Sequence, residues 1–599
     1  MPKDYSQLSK DDLIKIIEKL ESRKKYGLIW DEEKTKEQFE KESENALPVL
    51  KEVKDKEIKT DTTKPINILI EGDNYHALSV LNYTHQNKID VIYIDPPYNT
   101  GNKDFKYNDN YVDKEDTYRH SKWLSFMSKR LKLAKDLLKI DGAIFISINE
   151  DELAQLKLLC DEIFGDSNYL TTFTIKVRHE DRILKGDKDF HEVVEYLLLY
   201  RKSNLFHPYK RKKDNTSNKD YIYEIKELIK SYDKVIMGDK TVTIFKPGQY
   251  EIIKKEASEN YLKKINIRGS IKEGNSSGRF YMKYIEPIAL KNRGCLFKVP
   301  EMGNDKFGYR YFITPKTEKN INGSYFQGVP FNREDIKDVP YPNYFDFENE
   351  FNNVGYEGGV DFRNGKKPIA FIHKILEIGN CIDKKEAIIL DFFAGSGSTG
   401  HAVLNFNKEL GGKRIFILCT NNEANILEKE LNEKGLSEEE IQEQGICRKV
   451  TYPRIEKAIN GYKTSKGTEI TPLGGNLKYF KTAFVKNSIS RDDLKMRITL
   501  ECTEMLCLRE GVFEEVKTAS EYRIFKQNNK VMGIYYALER DGLKQLKKEL
   551  DNIKGEKILY CFTIDPLGLE KDDFADWDDV SLEAIPQPIL DIYKGIYNL

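Results

Sequence analysis

Apolar runs of strand length alternate with amphipathic stretches in the first third of the chain. The runs are Ile66–Ile70, Ile89–Ile94, Ala143–Ile148 and Tyr169–Val177. Apolar positions at helical spacing lie around Ala77–Leu81, from Trp123 to Leu138, where Asp141-Gly142 is expected to end the helix, and over Leu153–Phe164. Strands that alternate with helices of this length predict a mostly parallel sheet with helices on both faces.

The alternation stops near residue 202 and returns near residue 367. The stretch between has many Tyr, Phe, Gly and Asn residues and no clean period. After it, the pattern predicts a helix over Ile369–Ile378, a strand over Ala387–Leu390, a helix that ends near Leu410 and a strand over Arg414–Thr420. We therefore expect one α/β domain whose two halves are separated by an insertion.

These changes of pattern divide the chain into five segments. They are a charged, helical segment (1–60), the first half of the α/β domain (61–202), the insertion (203–360), the second half (361–470) and a C-terminal domain of mixed α/β type (471–599). Leu13, Ile16, Ile17 and Leu20 predict an amphipathic helix over residues 11–24. Near the C-terminus, acidic residues surround Trp577 in DDFADWDDV. We expect a homodimer with at least one of these two stretches in its interface; the alternative for the N-terminal helix is packing on its own domain.

The composition of the chain excludes several classes of protein. Its 599 residues carry 97 Lys and Arg against 98 Asp and Glu, so the chain is not a uniformly basic binder. It has no unbroken apolar run of about 18 residues and does not begin with an apolar leader, so we expect a cytoplasmic protein without a membrane span. The eight cysteines form no CxxC pair, which favours buried thiols over a disulfide framework or a zinc site.

Charge is nevertheless segregated along the chain. Residues 176–319 contain 32 Lys and Arg but only 20 Asp and Glu, and the cations interleave with aromatic residues, as in RKSNLFHPYKRKK (201–213). Phosphates attract lysine and arginine, and nucleotide bases stack on aromatic rings. The insertion is therefore the part of the chain that we expect to bind a nucleic acid.

Asp95-Pro96-Pro97-Tyr98 directly follows a predicted strand. Ligands of open α/β sheets bind outside the carboxyl ends of the strands, so the position is that of a site. The two prolines lack N–H groups and stiffen the turn, which leaves carbonyl oxygens as acceptors beside the Asp95 carboxylate. Two acceptors next to the Tyr98 ring suit a planar group that carries an amino group. The alternative interpretation is an ordinary turn at the end of a strand.

A glycine-rich sequence, DFFAGSGSTG (391–400), lies between a predicted strand and a predicted helix. Its glycines have the GxGxxG spacing, and Glu423 follows the next strand, where nucleotide-binding units place a ribose-binding acid. A dinucleotide site is the simplest interpretation of this arrangement. However, Asp391 at the start of the loop and the pair Phe392-Phe393 fit a cationic ligand better than a pyrophosphate.

Together, IYIDPPYNTG (92–101) and DFFAGSGSTG resemble the motifs of amino-methyltransferases that use S-adenosylmethionine. Their order, with DPPY before an insertion and FxGxG after it, is that of the beta class of DNA adenine-N6 methyltransferases. IEGDNYHALSVL (70–81), HEVVEYLLLYRK (191–202) and GKKP (365–368) are similar to stretches in the modification subunits of type III restriction–modification systems. The resemblance covers most of the chain.

This resemblance implies a Rossmann-like methyltransferase domain with an inserted target-recognition domain. It implies that Asp95 and the Pro96 carbonyl accept hydrogen bonds from an adenine amino group and that Tyr98 stacks on the base, which must first be flipped out of the duplex. The implied catalytic set is Asp95, Pro96, Pro97 and Tyr98. The residues expected to bind S-adenosylmethionine are Asp73, Lys367, Pro368, Asp391, Phe392, Phe393, Gly395, Gly397 and Glu423. No metal is expected.

The implied function is site-specific methylation of the adenine N6 amino group in double-stranded DNA, with a restriction (helicase–nuclease) subunit as an implied partner. A cytosine-N4 methyltransferase is disfavoured, because that class usually has serine in the place of Asp95. A DNA-specificity subunit without activity is also disfavoured, because such a copy should lose Asp95, Tyr98, Gly395 and Gly397. An RNA methyltransferase fits the chemistry, but the large insertion is better suited to a DNA site.

Overall fold

The computed structural model describes residues 9–10, 28–31, 35, 37, 46–101, 104–107, 110–181, 189–229, 233–362, 365–423, 435–464, 467–488, 490–565 and 568–597. The amphipathic helix expected over residues 11–24 lies outside the described residues. The chain divides into two units, of which the first comprises Met1–Tyr209 and Pro342–Leu599 and the second comprises Lys210–Tyr341. Each unit has a hydrophobic core of its own.

A ten-stranded sheet, called the main sheet below, forms the core of the first unit. In spatial order its strands are Ala46–Glu52, Asn476–Lys486, Ile66–Glu71, Ile415–Thr420, Ile388–Asp391, Ile89–Ile94, Leu138–Ile148, Val194–Arg201, Tyr169–Lys176 and Tyr344–Asp346. Pairing is parallel from the second strand of this order to the seventh. The mostly parallel sheet is thus confirmed. Ile389 pairs with Val91, which joins the two halves of the domain.

Helices whose apolar stripes were visible in the sequence pack on this sheet. The helices of this part of the unit are Asn74–Thr84, Arg119–Leu137, Leu153–Phe164, Glu348–Asn353, Ile369–Ile378, Ser398–Leu410, Glu438–Gln442 and Tyr452–Asn460, with single turns at Lys54–Lys56, Asp166–Asn168, Val354–Gly359 and Cys447–Thr451. Arg119–Leu137 buries Trp123, Met127, Leu131 and Ala134, which recur every three or four residues. Two short hairpins, Lys106–Tyr107 with Asn110–Tyr111 and Tyr462–Lys463 with Glu469–Ile470, complete this part.

Two features of the main sheet differ from the sequence-based expectation. The helix Arg119–Leu137 does not run on to Asp141-Gly142, because the next strand begins at Leu138, which is fully buried and pairs with Ile89. The first 60 residues were expected to be helical, but Ala46–Glu52 is a strand that pairs with Asn476–Lys486. The apolar residues ALPVL explain this pairing, since four of them are buried there.

Small antiparallel sheets form the second unit, called the inserted unit below. Its six-stranded sheet has the order Asp233–Met237, Lys240–Phe245, Leu296–Pro300, Tyr309–Ile313, Ser324–Gln327 and Lys263–Asn266. Tyr223–Glu227 pairs with Tyr250–Lys254, Arg211–Asp214 pairs with Ile336–Val339, and helical turns cover Ile271–Gly274, Ser276–Phe280, Tyr281–Ile285 and Glu286–Ala289. Phe297, Phe312 and Tyr325 are buried in its core, so part of the aromatic excess serves packing.

The C-terminal part of the first unit carries a separate five-stranded sheet. Its strands are Glu514–Thr518, Tyr522–Gln527, Lys530–Tyr535, Glu556–Phe562 and Val580–Ile585, and its helices are Arg491–Glu501, Thr503–Glu510, Leu543–Asp551, Lys571–Phe574 and Gln587–Tyr597. Phe574 and Trp577 are buried in the core beneath this sheet. The large apolar residues of DDFADWDDV, which are Phe574, Trp577 and Val580, therefore pack within the chain.

All eight cysteines are buried and free, as the sequence predicted. Within the described ranges, no helix combines the length and the apolar character that a membrane crossing requires.

Candidate active site

Four neighbouring parallel strands end at the same edge of the main sheet. They are Ile66–Glu71, Ile415–Thr420, Ile388–Asp391 and Ile89–Ile94. After Ile388–Asp391 the chain returns to the sheet on one side, and after Ile89–Ile94 it returns on the other side. Ligands of open α/β sheets bind at such a reversal of strand order, because the loops after the two central strands diverge there.

The two sequence motifs occupy this position. Asp95–Tyr98, the proline loop, follows one central strand, and Asp391–Gly400, the glycine loop, begins at the last residue of the other. Both line one cavity of about 590 Å³, a volume typical of small-molecule sites. The predicted residues that line it are Asp73, Asp95, Pro96, Pro97, Lys367, Asp391, Phe392, Phe393, Gly395 and Glu423. The predicted residues Tyr98, Gly397 and Pro368 are not part of its lining.

A buried polar cluster holds the proline loop. The Lys367 ammonium lies 2.7 Å from Glu195 Oε2, 2.7 Å from the Tyr98 hydroxyl oxygen and 3.2 Å from Asp95 Oδ1. The Tyr98 hydroxyl lies 2.9 Å from Asp95 Oδ1 and 3.0 Å from Glu195 Oε2, within hydrogen-bond distance of both. Lys367 was expected to bind the cofactor; the structure places its ammonium among the side chains of the proline loop.

Burial and ion pairing act in opposite directions within this cluster. Burial raises the pKa of Asp95, and the Lys367 ammonium opposes this effect without cancelling it. Burial also acts to raise the pKa of Glu195, but there the ammonium outweighs it and the pKa is lowered. Burial acts to lower the pKa of Lys367, and the two carboxylates more than reverse that effect. Asp95 is therefore the less acidic member of a carboxylate pair that shares one cation.

The two proline carbonyls differ in their hydrogen bonding. The Pro97 carbonyl oxygen accepts a hydrogen bond from the Trp123 indole N–H at 2.7 Å. In the part of the chain that the structure describes, no donor is paired with the Pro96 carbonyl oxygen. Asp95 and Pro96 therefore keep acceptor capacity at the cavity, whereas Pro97 serves to fix the loop to the helix behind it.

Asp391 organises the glycine loop from within. Its Oδ1 accepts a hydrogen bond from the Phe393 N–H at 3.0 Å, and its Oδ2 accepts one from the Thr399 hydroxyl. Burial raises its pKa to about 7, although both hydrogen bonds favour the ionised form. A cation in the cavity would stabilise the ionised carboxylate further.

Two glycines of the loop have left-handed backbone, with φ of 48° at Gly395 and 75° at Gly397. Among the described residues, a Cβ added at Gly395 would have only the Phe393 carbonyl oxygen within 4 Å, at 3.7 Å. A Cβ added at Gly397 would lie 3.3 Å from a methyl group of Thr451 and 3.5 Å from Ile455. Gly395 thus exposes backbone to the cavity, whereas Gly397 allows the loop to pack on the neighbouring helix. Gly397 was expected to bind the cofactor; the structure places it outside the cavity lining and against that helix.

Asp73 and Arg130 join the end of strand Ile66–Glu71 to the cavity wall. Asp73 Oδ1 accepts a hydrogen bond from the Tyr75 N–H at 2.7 Å and so caps the helix that follows. Burial acts to raise the pKa of Asp73, but the Arg130 guanidinium outweighs it and the pKa is lowered. Arg130 is itself fully buried and also donates to Glu37 and Asn74.

Glu423 lies at the rim of the cavity, after the strand that ends at Thr420. Its carboxylate is 3.0 Å from the Lys106 ammonium and accepts a hydrogen bond from Asn421 at 2.7 Å. Its side chain is 41% exposed, so it can reorient toward a ligand without breaking a buried ion pair.

Three charged residues that support the site were not predicted as site residues. They are Arg130, Glu195 and Arg454, and the last of these donates hydrogen bonds to the hydroxyls of Ser396 and Ser398 in the glycine loop. The sequence did contain a signal for two of them. Arg130 interrupts the apolar stripe of its helix, and Glu195 interrupts the apolar strand VEYLLLYR.

The charge of the lining favours a cationic ligand over an anionic one. Six carboxylates line the cavity, those of Glu37, Asp73, Asp95, Asp104, Asp391 and Glu423. Three cationic side chains oppose them, those of Lys106, Arg130 and Lys367. All three cations are paired with carboxylates, so no free cationic group faces the cavity from the described residues to receive a pyrophosphate.

Comparison with known proteins identifies the family to which this fold and site belong. Residues 89–429, more than half of the chain, match the family model described as DNA methylase. The chain belongs to this family. The match includes the proline loop, the inserted unit and the glycine loop.

Several individual members of known families are similar in sequence to this chain. The chain is 31% identical over 392 residues to the Haemophilus influenzae protein named "Probable type III restriction-modification enzyme HindVI Mod subunit", covering 59% of this chain and 49% of the relative. It is 31% identical to the StyLTI Mod subunit of a type III enzyme from Salmonella typhimurium, covering 60% and 53%. It is 31% identical to the type II methyltransferase M.KpnI of Klebsiella pneumoniae, covering 59% and 79%. The chain thus spans about half the length of the two Mod subunits.

We expect Gly395→Val to weaken binding of S-adenosylmethionine at least tenfold, because the valine side chain would fill space in the cavity that the glycine leaves open to a ligand. A tenfold change corresponds to about 1.4 kcal/mol. Isothermal titration calorimetry measures the affinity. Gly411→Val is the matched control, since Gly411 also has left-handed backbone (φ 67°) and nothing lies within 4 Å of its added Cβ, at the far end of the helix after the loop.

Unchanged affinity in the Gly395 variant would show that the glycine loop does not form the cofactor site. Binding of NAD by the wild-type chain, lost in the same variant, would instead support the dinucleotide interpretation.

Proposed function

We propose that this chain transfers a methyl group from S-adenosylmethionine to the N6 amino group of adenine in double-stranded DNA. We further propose that it is the modification subunit of a type III restriction–modification system. The observation that carries the proposal is the single cavity lined by both the proline loop and the glycine loop. The names of the relatives, two of them Mod subunits, support the same conclusion.

The residues of the glycine-loop side fit the proposed cofactor. The open backbone at Gly395, the aromatic ring of Phe393 and the carboxylates of Asp73, Asp391 and Glu423 would hold it. Carboxylates suit ribose hydroxyls, an amino group and a positive sulfur, and they repel the pyrophosphate of a dinucleotide. When bound, S-adenosylmethionine would supply a methyl group on a sulfonium centre: the carbon–nitrogen bond would form as the carbon–sulfur bond breaks with its electrons left on sulfur, and the methylated amine would then lose a proton to water.

The proline loop provides the acceptor side of the reaction. An adenine amino group has two N–H donors, and the ionised Asp95 carboxylate and the Pro96 carbonyl would accept both. These bonds place the nitrogen and increase its electron density, which is otherwise delocalised into the ring. Holding the reactants in line provides most of the rate, since the methyl donor is already activated. Asp95, in place of serine, is the residue that favours adenine over cytosine.

The inserted unit offers a surface suited to DNA. Its two-stranded ribbon pairs Arg211–Asp214 with Ile336–Val339, and directly paired residues of such a ribbon share a face. One face carries Arg211, Lys213 and Lys337, all exposed. The other face carries Lys212, whose ammonium lies 2.7 Å from Asp338. We propose that the first face contacts DNA phosphates and that the inserted unit recognises the target sequence.

Assembly forms a further part of the proposal. A subunit that also serves a nuclease needs surfaces beyond its own cavity. With Phe574 and Trp577 buried, the apolar positions Leu13, Ile16, Ile17 and Leu20 are the sequence feature that supports a homodimer. A DNA substrate and a restriction partner would place the protein in the cytoplasm.

We expect Asp95→Ala to reduce methylation of DNA at least about a hundredfold while leaving the affinities for S-adenosylmethionine and DNA nearly unchanged. The lost hydrogen bond acts mainly on the transition state, so the effect belongs to kcat. Transfer of tritiated methyl groups to DNA measures the rate. Asp136→Ala, an exposed acid on the helix Arg119–Leu137, is the control and should keep full activity. Activity of the Asp95 variant within tenfold of wild type would contradict the assigned role.

The ribbon makes a separate prediction about salt. Replacing Arg211, Lys213 and Lys337 by alanine should weaken DNA binding, and each lost phosphate contact should flatten the log–log salt dependence by about 0.9. Fluorescence anisotropy with a labelled duplex at several salt concentrations measures this slope. Lys212→Ala should change it little, because Lys212 is paired with Asp338. An unchanged slope in the triple variant would move the DNA-binding face elsewhere.

A truncated chain tests the assembly. Removing residues 1–24 should convert a dimer to a monomer, as measured by light scattering at micromolar concentration. The truncation must retain Trp30 and Glu37, because they bond Ser125 and Arg130 of the first unit. A full-length chain that is monomeric with and without DNA would contradict the homodimer.

A further inference from the structure

We infer that Glu195 and Lys367 are positioning residues: Lys367 keeps Asp95 ionised, and the two residues together hold Tyr98 oriented for the target amino group. The inference rests on the proposed function and extends it to two residues outside the proline loop. Neither residue needs to contact the reacting atoms. They act through Asp95, which does contact the target amino group.

The geometry places one cation between two acids. The Lys367 ammonium lies 2.7 Å from Glu195 and 3.2 Å from Asp95, and its side chain is only 9% exposed. The Glu195 and Asp95 side chains are 17% and 20% exposed. Water therefore screens these charges weakly. Removing Lys367 leaves two carboxylates without a cation in a poorly hydrated space, whereas removing either acid leaves a single ion pair.

Tyr98 depends on the same two residues. Its hydroxyl receives a hydrogen bond from Lys367 and has one proton to donate, either to Asp95 or to Glu195. With Lys367 as donor on one side and two carboxylates on the other, the ring has a fixed orientation beside the cavity. The ammonium also lies 5.1 Å from the centre of this ring.

Asp95 must be ionised to do its proposed work. A carboxylate accepts at both oxygens, whereas a protonated carboxyl carries a proton on one of them and competes with the amino group as a donor. Burial acts against the ionised form, and Lys367 is the nearby cation that favours it. Lys367 nevertheless cannot pair with Asp95 alone, because Glu195 takes the shorter contact. Asp95 thus stays ionised and can still accept a hydrogen bond from the target amino group.

Among the described residues, few other charged groups act on the cluster. Tyr93 and Asp391 face Asp95 from the two central strands, and Arg178 acts on Glu195 from the strand end that follows Tyr169–Lys176. Burial raises the pKa of Tyr93 well above its ordinary value, so this residue stays neutral. None of these three groups lies between Lys367 and Asp95, and all of them remain when Lys367 or Glu195 is replaced.

Replacing Lys367 and replacing Glu195 should therefore shift the titration of Asp95 in opposite directions. Lys367→Met removes the cation and leaves two carboxylates together, so Asp95 should titrate at higher pH than in the wild type. Glu195→Gln removes the neighbouring negative charge and gives Lys367 to Asp95, so Asp95 should titrate at lower pH. The double variant should lie between the two single variants.

Infrared titration of protein labelled with ¹³C-aspartate measures this without turnover, once the spectrum of the Asp95→Ala protein is subtracted. The acid limb of the pH profile of kcat/KM for DNA methylation should move in the same directions, and each single variant should lose about tenfold or more in kcat/KM.

Lys384→Met is the matched control, since Lys384 bridges Asp90 and Asp141, with Asp90 near the start of the strand that ends before Asp95. It should leave the Asp95 midpoint unchanged.

Midpoints that stay unchanged, or that move in the same direction in both single variants, would overturn the inference even if the wild-type chain methylates DNA. Diverging midpoints in a chain that methylates no DNA would instead overturn the proposed function. The double variant addresses folding, because it keeps one carboxylate at this position where Lys367→Met leaves two without a cation.

Discussion

The parallel pairing of Ile388–Asp391 with Ile89–Ile94 is the interaction on which the site depends. These strands belong to different halves of the domain, and about half of the chain's length lies between them in the sequence. Their carboxyl ends lie side by side, so the loop after each one opens into the same cavity. Because a parallel pair directs both ends the same way, the register of this single pairing sets the distance between the proline loop and the glycine loop.

Buried charge is the second constraint, and it is arranged differently on the two sides of the cavity. On the proline-loop side, one ammonium is shared between two carboxylates. On the glycine-loop side, the Asp391 carboxylate has no cation within salt-bridge distance among the described residues and is held by hydrogen bonds from Phe393 and Thr399. Burial raises its pKa to about 7, which makes it sensitive to a positively charged ligand. The first arrangement suits a neutral amine, and the second suits a cation.

Much of this organisation could be predicted from the sequence, because it depends on local pattern. The strand Ile89–Ile94 and the helices Leu153–Phe164 and Ile369–Ile378 begin and end where the apolar periodicity predicted. The two loops were identified because proline and glycine restrict or free the backbone in ways that a strand or a helix cannot use. Their meeting in one cavity followed from the rule that ligands bind at the carboxyl ends of parallel strands.

The remaining features depend on contacts that local pattern does not encode. Glu195 joins the proline loop through a contact between residues 97 positions apart, and Arg454 joins the glycine loop across more than 50 positions. Ala46–Glu52 becomes a strand only because Asn476–Lys486 offers it an edge. Gly397 is a further example: the structure packs it against a neighbouring helix, whereas the sequence predicted that it contacts a ligand. In each case the partner decides the role, and the partner is distant in sequence.

The most direct test of the account is to identify the modified base. Genomic DNA from cells that lack other adenine methylation and express this chain would be digested to nucleosides and analysed by mass spectrometry, with cells that express the Asp95→Ala variant as the reference. If the chain methylates adenine at N6, as proposed, the first sample contains N6-methyladenine and the second contains none above background. N4-methylcytosine in the first sample, or no methylated base at all, would contradict it.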